Sequence, residues 1–565
     1  MPHHVVSLYP LFSGSRWAGI SIPHIPICLS RSRGGRGVYI PILCVFRDSA
    51  RDAVLRTSDG IGISAFNPLS TRILSRALNG LRICANPLGM STPTLRIGLF
   101  GIGLDAYWPQ FAGLKERLEG YVGRVAGKLA RPGVEIVNLG LVDNPERAYE
   151  AGHEFRRADV DLIFLHVTTY ALSSTVLPVV LRAKVPVVIL NLQPAPAIDY
   201  PNFNHMDDRT KMTGEWLAHC AACPVPEIAN VFKRAGVRFH QVTGMLDDDP
   251  VCWKEVDAWV EAARVVAGMY GNRLGLMGHY YSGMLDIYSD TTLQCATFGT
   301  HIEILEVDAL SALRREVTDA QVTARVTEFR KVFEVQADCA AADLAEAART
   351  SVALDLLVAK HRLGSMAYFY SGTGVAENEA TMSSIILGTS LLTGRGVPVA
   401  GEYEVKNVQA MKIMDLLGVG GSFTEYYAMD YTDDVVLMGH DGPGHIRVAE
   451  GKTKVRPLKV YHGKVGKGVS VEMSVKHGPV TLLSVVERGD GKLGLLCAEA
   501  ESVPGPIMEI GNTNSRYRFA CGAREFVTRW NAQGPAHHCA VGVGHVAHKL
   551  EKVGALLGLE VVRVV

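Results

Sequence analysis

Leu95-Arg-Ile-Gly-Leu-Phe-Gly-Ile-Gly103 decides the fold of this chain. It is a short apolar run ending in closely spaced glycines, the pattern of a strand buried on both faces and closed by a tight turn. Outward from it, residues 134–139, 161–167 and 187–191 repeat the pattern between turn residues, with amphipathic stretches separating them. One such stretch opens on Asn144-Pro145-Glu146. That triplet supplies an N-cap, a proline where a missing N–H costs nothing, and an acid favoured by the helix dipole. Strand and helix alternating in this way predict a parallel, doubly wound sheet.

A second alternation starts near Arg273. Strands over 274–277 and 301–306, long helices over 309–335 and 337–361, and strands over 366–370 and 397–400 predict a second domain of the same kind. The acidic Leu246-Asp-Asp-Asp-Pro250 and a helix over 253–270 mark the boundary. Beyond Gly418 the runs 435–438, 455–461, 469–475, 480–486 and 493–498 are rich in valine and punctuated by glycine, as in an antiparallel domain. A helix over 545–557 and a strand over 560–565 follow. The expected fold is therefore α/β: two doubly wound parallel-sheet domains, 94–260 and 261–417, followed by a β-rich C-terminal domain, 418–565.

Residues 1–93 read differently, with ten arginines, no lysine, and only Asp48, Asp52 and Asp59 as acids. The composition is similar to that of a transit peptide, but the arginines cluster in Arg31-Ser-Arg-Gly-Gly-Arg36 without amphipathic period, and Met90 precedes the first strand. The segment is expected to be a disordered upstream extension, in preference to an organelle-targeting signal, so the protein is expected in the cytoplasm.

A chain of 565 residues exceeds what one hydrophobic core supports. Its 57 basic and 57 acidic residues balance, which removes any global electrostatic drive toward nucleic acid or anionic membrane. No apolar run reaches the length of a membrane span, and small molecules are the expected partners. Eleven cysteines without regular spacing indicate free thiols. Cys220 and Cys223, preceded by His219, lack the second pair or strand context that a zinc or redox motif needs.

The turn after the first strand, Gly98 to Gly103, has the spacing of a loose dinucleotide fingerprint. Tyr107-Trp108-Pro109 follows at once, however, and no acid marks a ribose site, so it reads as a tight turn at the sheet's carboxyl edge, where substrate can still bind. Chemistry points elsewhere. In Ala400-Gly401-Glu402-Tyr403-Glu404 a glutamate stands where a strand ends and a helix begins. Glu425 is flanked by aromatics and a glycine pair in Gly420-Gly-Ser-Phe-Thr-Glu-Tyr-Tyr-Ala-Met-Asp430. Gly439-His-Asp-Gly-Pro-Gly-His445 and Gly534-Pro-Ala-His-His538 carry imidazoles on turn-forming residues, so all four are expected on loops. Two carboxylates and two imidazoles suit Mn2+ or another divalent first-row metal better than Mg2+. Such a site would polarise a hydroxy-carbonyl substrate while the glutamates move a proton between adjacent carbons.

At these residues the sequence resembles the L-arabinose isomerase and L-fucose isomerase-like family of aldose–ketose isomerases. Ala400-Gly401-Glu402, Gly421-Ser-Phe-Thr-Glu425, Gly439-His440 and Gly534-Pro-Ala-His-His538 are similar, in order and spacing, to the family's four metal-ligand segments. The resemblance implies a Mn2+-dependent isomerase acting on a pentose or deoxyhexose, with active sites completed across the subunits of a homotrimer or hexamer. Glu402 and Glu425 would be metal ligands and the acid/base pair, and His440 and His538 would complete the metal shell, with His537 beside them. The loop Gly101-Ile-Gly-Leu-Asp-Ala-Tyr-Trp108 departs from the family's glycine-serine-glutamine-histidine segment. Tyr107, Trp108, Gln110, Gln193 and His205, with His537, are the candidates for a sugar-facing surface. The competing reading is a non-catalytic sugar-binding or regulatory protein on the same scaffold.

Overall fold

Leu95, Ile97, Leu99, Phe100 and Ile102 are all fully buried, because the strand β1 (Leu95–Ile102) has a core on each face. Leu95, Ile97 and Leu99 pack with Leu118 and Val122 of the helix Leu114–Leu129, while Phe100 and Ile102 pack with Phe155 on the other side. The computed structural model describes residues 94–372, 374–458 and 467–565. The arginine-rich segment 1–93 lies outside them, as does the far end of the strand expected over 455–461.

Strands β2 (Val134–Val142), β3 (Leu162–His166), β4 (Val187–Gln193) and β5 (Phe239–Met245) join β1 in a parallel sheet ordered β2-β1-β3-β4-β5. The chain winds from β1 to one edge, then returns to the other side of β1, so the winding is double as expected. β5 is an addition; its Phe-His-Gln-Val-Thr-Gly-Met lacks the apolar run that marks the other four. Asn144 caps the helix Pro145–Ala158 by accepting the Arg147 N–H at 2.8 Å. The acidic run ends in another cap: Asp249 accepts from Cys252 N–H at 2.9 Å and Met245 N–H at 3.0 Å to start the helix Pro250–Tyr270. A Cβ on Gly101 would lie 2.5 Å from Val122, and one on Gly103 would lie 2.8 Å from the Trp108 ring. These glycines serve close packing, and the next α-helix begins only at Leu114.

The second parallel sheet contains β6 (Arg273–Gly278) and β7 (His301–Leu305). After β8 (Glu334–Val335), which belongs elsewhere, it gains β9 (Ser365–Phe369) and β10 (Val399–Ala400), in the order β10-β9-β6-β7. The single helix expected over 309–335 is two, Val307–Glu316 and Asp319–Val332, followed by β8. The break is a capping box: Thr318 Oγ1 accepts from Gln321 N–H while Gln321 Oε1 accepts from Thr318 N–H at 2.9 Å.

The C-terminal part is β-rich, with β11 (Gly420–Asp430), β12 (Val435–His440), β13 (Lys454–Pro457), β14 (Val469–Glu472), β15 (Gly478–Glu487), β16 (Leu493–Ser502), β17 (Thr513–Arg518), β18 (His538–Val543) and β19 (Glu560–Arg563). Six antiparallel strands close a barrel in the order β11-β12-β17-β16-β15-β18, and β19 adds to β16 in parallel. β8, β13 and β14 form a small fourth sheet. The helix Val405–Leu416 lies against β11, β15 and β18, buried continuously from Val405 to Met414. Through Val408, Met411 and Met414 it joins the barrel residues Phe423, Leu483 and Ala540 to the core that also holds β1. Among the described residues no helix is long and apolar enough to cross a membrane.

Two consequences are measurable. Gly278 has φ +90°, and a Cβ there would sit 1.9 Å from the Phe369 carbonyl oxygen. Gly278→Ala must therefore push β6 and β9 apart, and a loss of about 3 kcal/mol is expected, read as a clear fall in Tm. His166 is fully buried at the end of β3 with neither ring nitrogen bonded. Burial, helped by Arg124, pushes it down to about 3. Because the folded pKa lies below the unfolded one, its contribution is complete above about pH 6.5 and is lost as pH falls toward 3. Tm should decline through that window, and His166→Leu should flatten the decline.

Candidate metal centre

Glu402 leaves the carboxyl end of β10 in an unusual backbone. Glu402 and Tyr403 both adopt left-handed conformations, with φ 56° and 62°, which cost roughly 1–3 kcal/mol each for residues with a Cβ. Tyr403 N–H bonds Tyr368 O at 2.9 Å and Glu404 N–H bonds Gly401 O at 3.0 Å, which hold the turn. Glu404 then caps the buried helix by accepting from Lys406 N–H at 3.2 Å. The helix-start role open to Glu402 thus falls to Glu404, and Glu402 is free to face inward.

The other three residues are on strands, which corrects the expectation of loops. Glu425 is inside β11, His440 is the last residue of β12, and His538 is the first of β18. Gly420 and Gly421, at φ 90° and 133°, start β11 in a conformation that favours glycine, and Gly439 permits β12 to approach β17, where a Cβ would lie 1.8 Å from Thr513 O. In this stretch glycine marks close approach between strands. β11 pairs with β18 from Gly420 to Glu425 and with β12 from Glu425 to Asp430. Glu425 is the position where the strand passes from one neighbour to the other, so it stands opposite both His538 and Gly439.

The neighbouring barrel strands β18, β11 and β12 bring His538, Glu425 and His440 together, and the bend after β10 adds Glu402. His440 Nε2 lies 3.2 Å from His538 Nε2, 4.0 Å from Glu402 Oε1 and 3.9 Å from Glu425 Oε1, and His538 Nε2 lies 3.4 Å from Glu402 Oε2. The Phe423 ring packs beneath both imidazoles, at 4.3 and 4.4 Å between centroids. His537 joins the rim, with Nε2 3.7 Å from Glu402 Oε2 and 3.8 Å from Glu425 Oε2. Its Nδ1 lies 2.6 Å from Asp286 Oδ2. Asp286, Glu404, Asp441 and Phe423 had no role in the sequence reading; Glu404 and Asp441 stand within the quoted motifs, but Asp286 carries no motif.

The donor set fits a divalent cation. His440 Nδ1 bonds the Asp441 carbonyl, an acceptor only, so that nitrogen carries the proton and Nε2 presents a lone pair. His538 Nδ1 faces Glu404 Oε2 at 3.5 Å, the outer carboxylate partner common for a ligating histidine. The two Nε2 atoms meet at 3.2 Å. Glu402 Oε2 is buried between His537 Nε2 and His538 Nε2, at 3.7 and 3.4 Å. Donors about 2.0–2.3 Å from one ion stand roughly 3–4 Å apart, as these do. Both Glu402, His537, His538 and Glu425, His440, His538 group closely enough to hold an ion.

Burial holds His538 far below the usual imidazole range, helped by His440 and His537, and so keeps it neutral as ligation requires. Burial also pushes the Glu425 carboxyl up, against the pull of His440 and His537, and pushes Glu404 up to about 8 against Lys406. Burial opposes charge on His537, but hydrogen-bonding carboxylates outweigh it and raise that ring to about 9.

A cavity of about 590 Å³ opens beside Glu402 and His440, walled by Tyr368, Phe369, Gly372, Ile386, Asp441 and Pro443. It lies where β9 and β10 end, at the carboxyl edge that binds ligands in doubly wound sheets. Tyr107, Trp108, Gln110, Gln193 and His205 are not among the residues lining it. Trp108 Nε1 donates to Asp143 at 2.7 Å, Gln110 Nε2 donates to Ala106 O at 2.6 Å, and His205 Nδ1 meets Pro201 O. Tyr107 packs edge-on to Trp108 and Phe111, and Gln193 ends β4. Cys220 and Cys223 are free, and burial pushes Cys220 up to about 12.

Residues 420–560 match the family model of the L-arabinose isomerase C-terminal domain. The match spans the barrel and includes Glu425, His440, His537 and His538, with Glu402 just ahead of it. The C-terminal part of the chain thus carries a domain of the arabinose isomerase-like family, and this kinship supports an aldose–ketose isomerase. No curated protein is similar enough to the chain to count as a match. Calorimetric titration with Mn2+ should give one ion per chain, and Glu425→Gln or His538→Ala should weaken it at least tenfold.

Proposed function

We propose that the protein is a metal-dependent aldose–ketose isomerase acting on a pentose or deoxyhexose, with Mn2+ or another divalent first-row metal held by Glu402, Glu425, His440 and His538. The observation that carries this reading is the meeting of two carboxylates with two opposed imidazole nitrogens beside a cavity at a sheet's carboxyl edge. A bound cation would polarise the carbonyl and neighbouring hydroxyl oxygens of the sugar. One glutamate carboxylate takes the proton from C2 of the aldose and a carboxyl returns a proton to C1, through an enediol, while the O2 proton passes to O1. Unequal environments favour a division of labour, since burial raises Glu425. The ring of Phe423 keeps water from the inner side of both imidazoles.

His537, at the rim, is assigned to a sugar hydroxyl. Tyr107, Trp108, Gln110, Gln193 and His205 would serve a neighbouring copy's site in a homo-oligomer of three or six chains, which is consistent with their placement away from this chain's cavity. Cytoplasmic sugar metabolism is the setting this reading implies.

The test is turnover. Protein stripped with a chelator and reloaded with Mn2+ should interconvert an aldose and its ketose across a panel of pentoses and deoxyhexoses, followed by ketose formation. Glu402→Gln and Glu425→Gln should each lower kcat by about 10²–10⁴-fold. Metal-free sugar binding without turnover would instead establish a non-catalytic sugar-binding protein.

A further inference from the structure

Asp286 lies 251 positions before His537 in the chain, yet one carboxylate oxygen meets that histidine twice. Its Oδ2 accepts from the His537 backbone N–H at 3.0 Å and from ring Nδ1 at 2.6 Å. An ionised carboxylate is an acceptor only, so Nδ1 carries a proton and the ring is fixed in rotation. The remaining nitrogen, Nε2, points between the two glutamates, at 3.7 and 3.8 Å from their Oε2 atoms.

The segment that presents Asp286 is built to hold still. It follows β6 as a short 3-10 turn, Leu285–Ile287, with Ile287 fully buried. Lys406, itself buried at the start of the helix after Glu404, directs its ammonium to the carbonyls of Asp286 and Tyr288. Tyr280 bonds Ser289 O at 3.3 Å and packs edge-on against Tyr403, at 4.8 Å between centroids. The turn is thus tied to Tyr403, in the middle of the Glu402–Glu404 bend, and to Lys406, just after it. The histidines differ in access: the His537 side chain is 35% exposed, against 4% for His440 and 0% for His538. An incoming ligand reaches His537 first.

We infer that Asp286 is a positioning residue that holds His537 so that its Nε2 binds a hydroxyl of the sugar beside the carbon pair being isomerised. This rests on the isomerase reading for the identity of the ligand, but not for the coupling between Asp286 and His537. Asp286 touches neither glutamate nor the ligating imidazoles in this arrangement, and its effect passes through one ring. Orientation of that ring before substrate arrives lowers the entropy lost on binding.

The experiment uses the full chain loaded with Mn2+, in Asp286→Asn, Asp286→Glu, Asp286→Ala, His537→Ala and the double variant. L-arabinitol, a polyol with no carbonyl to react, reports binding by calorimetry, alongside KM, kcat and Mn2+ per chain. Asp286→Ala and Asp286→Asn should raise the arabinitol Kd and KM about tenfold while keeping the metal, Asp286→Glu should recover part of the loss, and the double variant should be no worse than His537→Ala. In crystals of Asp286→Ala the His537 ring should turn away from the glutamates. Losses that add in the double variant, or a ring that stays in place, would overturn the inference. Absence of turnover or arabinitol binding in the wild type would defeat the isomerase reading and the hydroxyl role together. The ring position in Asp286→Ala would still decide whether Asp286 positions His537.

Discussion

His440 Nε2 and His538 Nε2 meet at 3.2 Å in a buried pocket next to two carboxylates, and the candidate metal centre depends on that contact. Much of the surrounding structure is arranged to impose that contact. β12 and β18 pair on either side of β11, and the pairing changes hands at Glu425. Phe423 blocks retreat of the rings toward the core, while Asp441 and Glu404 turn their Nδ1 atoms outward. The result is a cluster of carboxylates and imidazoles that could hold a cation.

The fourth donor comes from a different layer, and its delivery involves backbone strain. Glu402 ends β10 in a left-handed conformation continued by Tyr403. The helix that follows is buried along its length and packs on the barrel, so a small shift of the second sheet relative to the barrel would move Glu402 against His538. Parallel sheet and barrel are therefore coupled through one bend. The cavity opens at this seam, where β9 and β10 end.

Local patterns carried most of the scaffold. Buried parallel strands such as β1 and β4 are continuous apolar runs, and caps such as Asn144 act within a few residues, so both are legible one segment at a time. The failures have equally local causes. β5 alternates apolar with polar residues, the Thr318–Gln321 box interrupts a helix whose periodicity continues across it, and glycines beside Glu425 and His440 look like loop residues until the close approach of neighbouring strands explains them.

The sequence by itself determined most of the strands and helices, the two parallel sheets with a β-rich part after them, and the choice of Glu402, Glu425, His440 and His538 as candidate donors, because residue chemistry and motif order are one-dimensional properties. Only the tertiary structure decided that those donors converge, that they stand on strands, and that Asp286 meets His537 across 251 positions. No periodicity encodes a contact of that kind. It exists only when the closure of a barrel and the packing of a sheet against it fix where distant side chains meet.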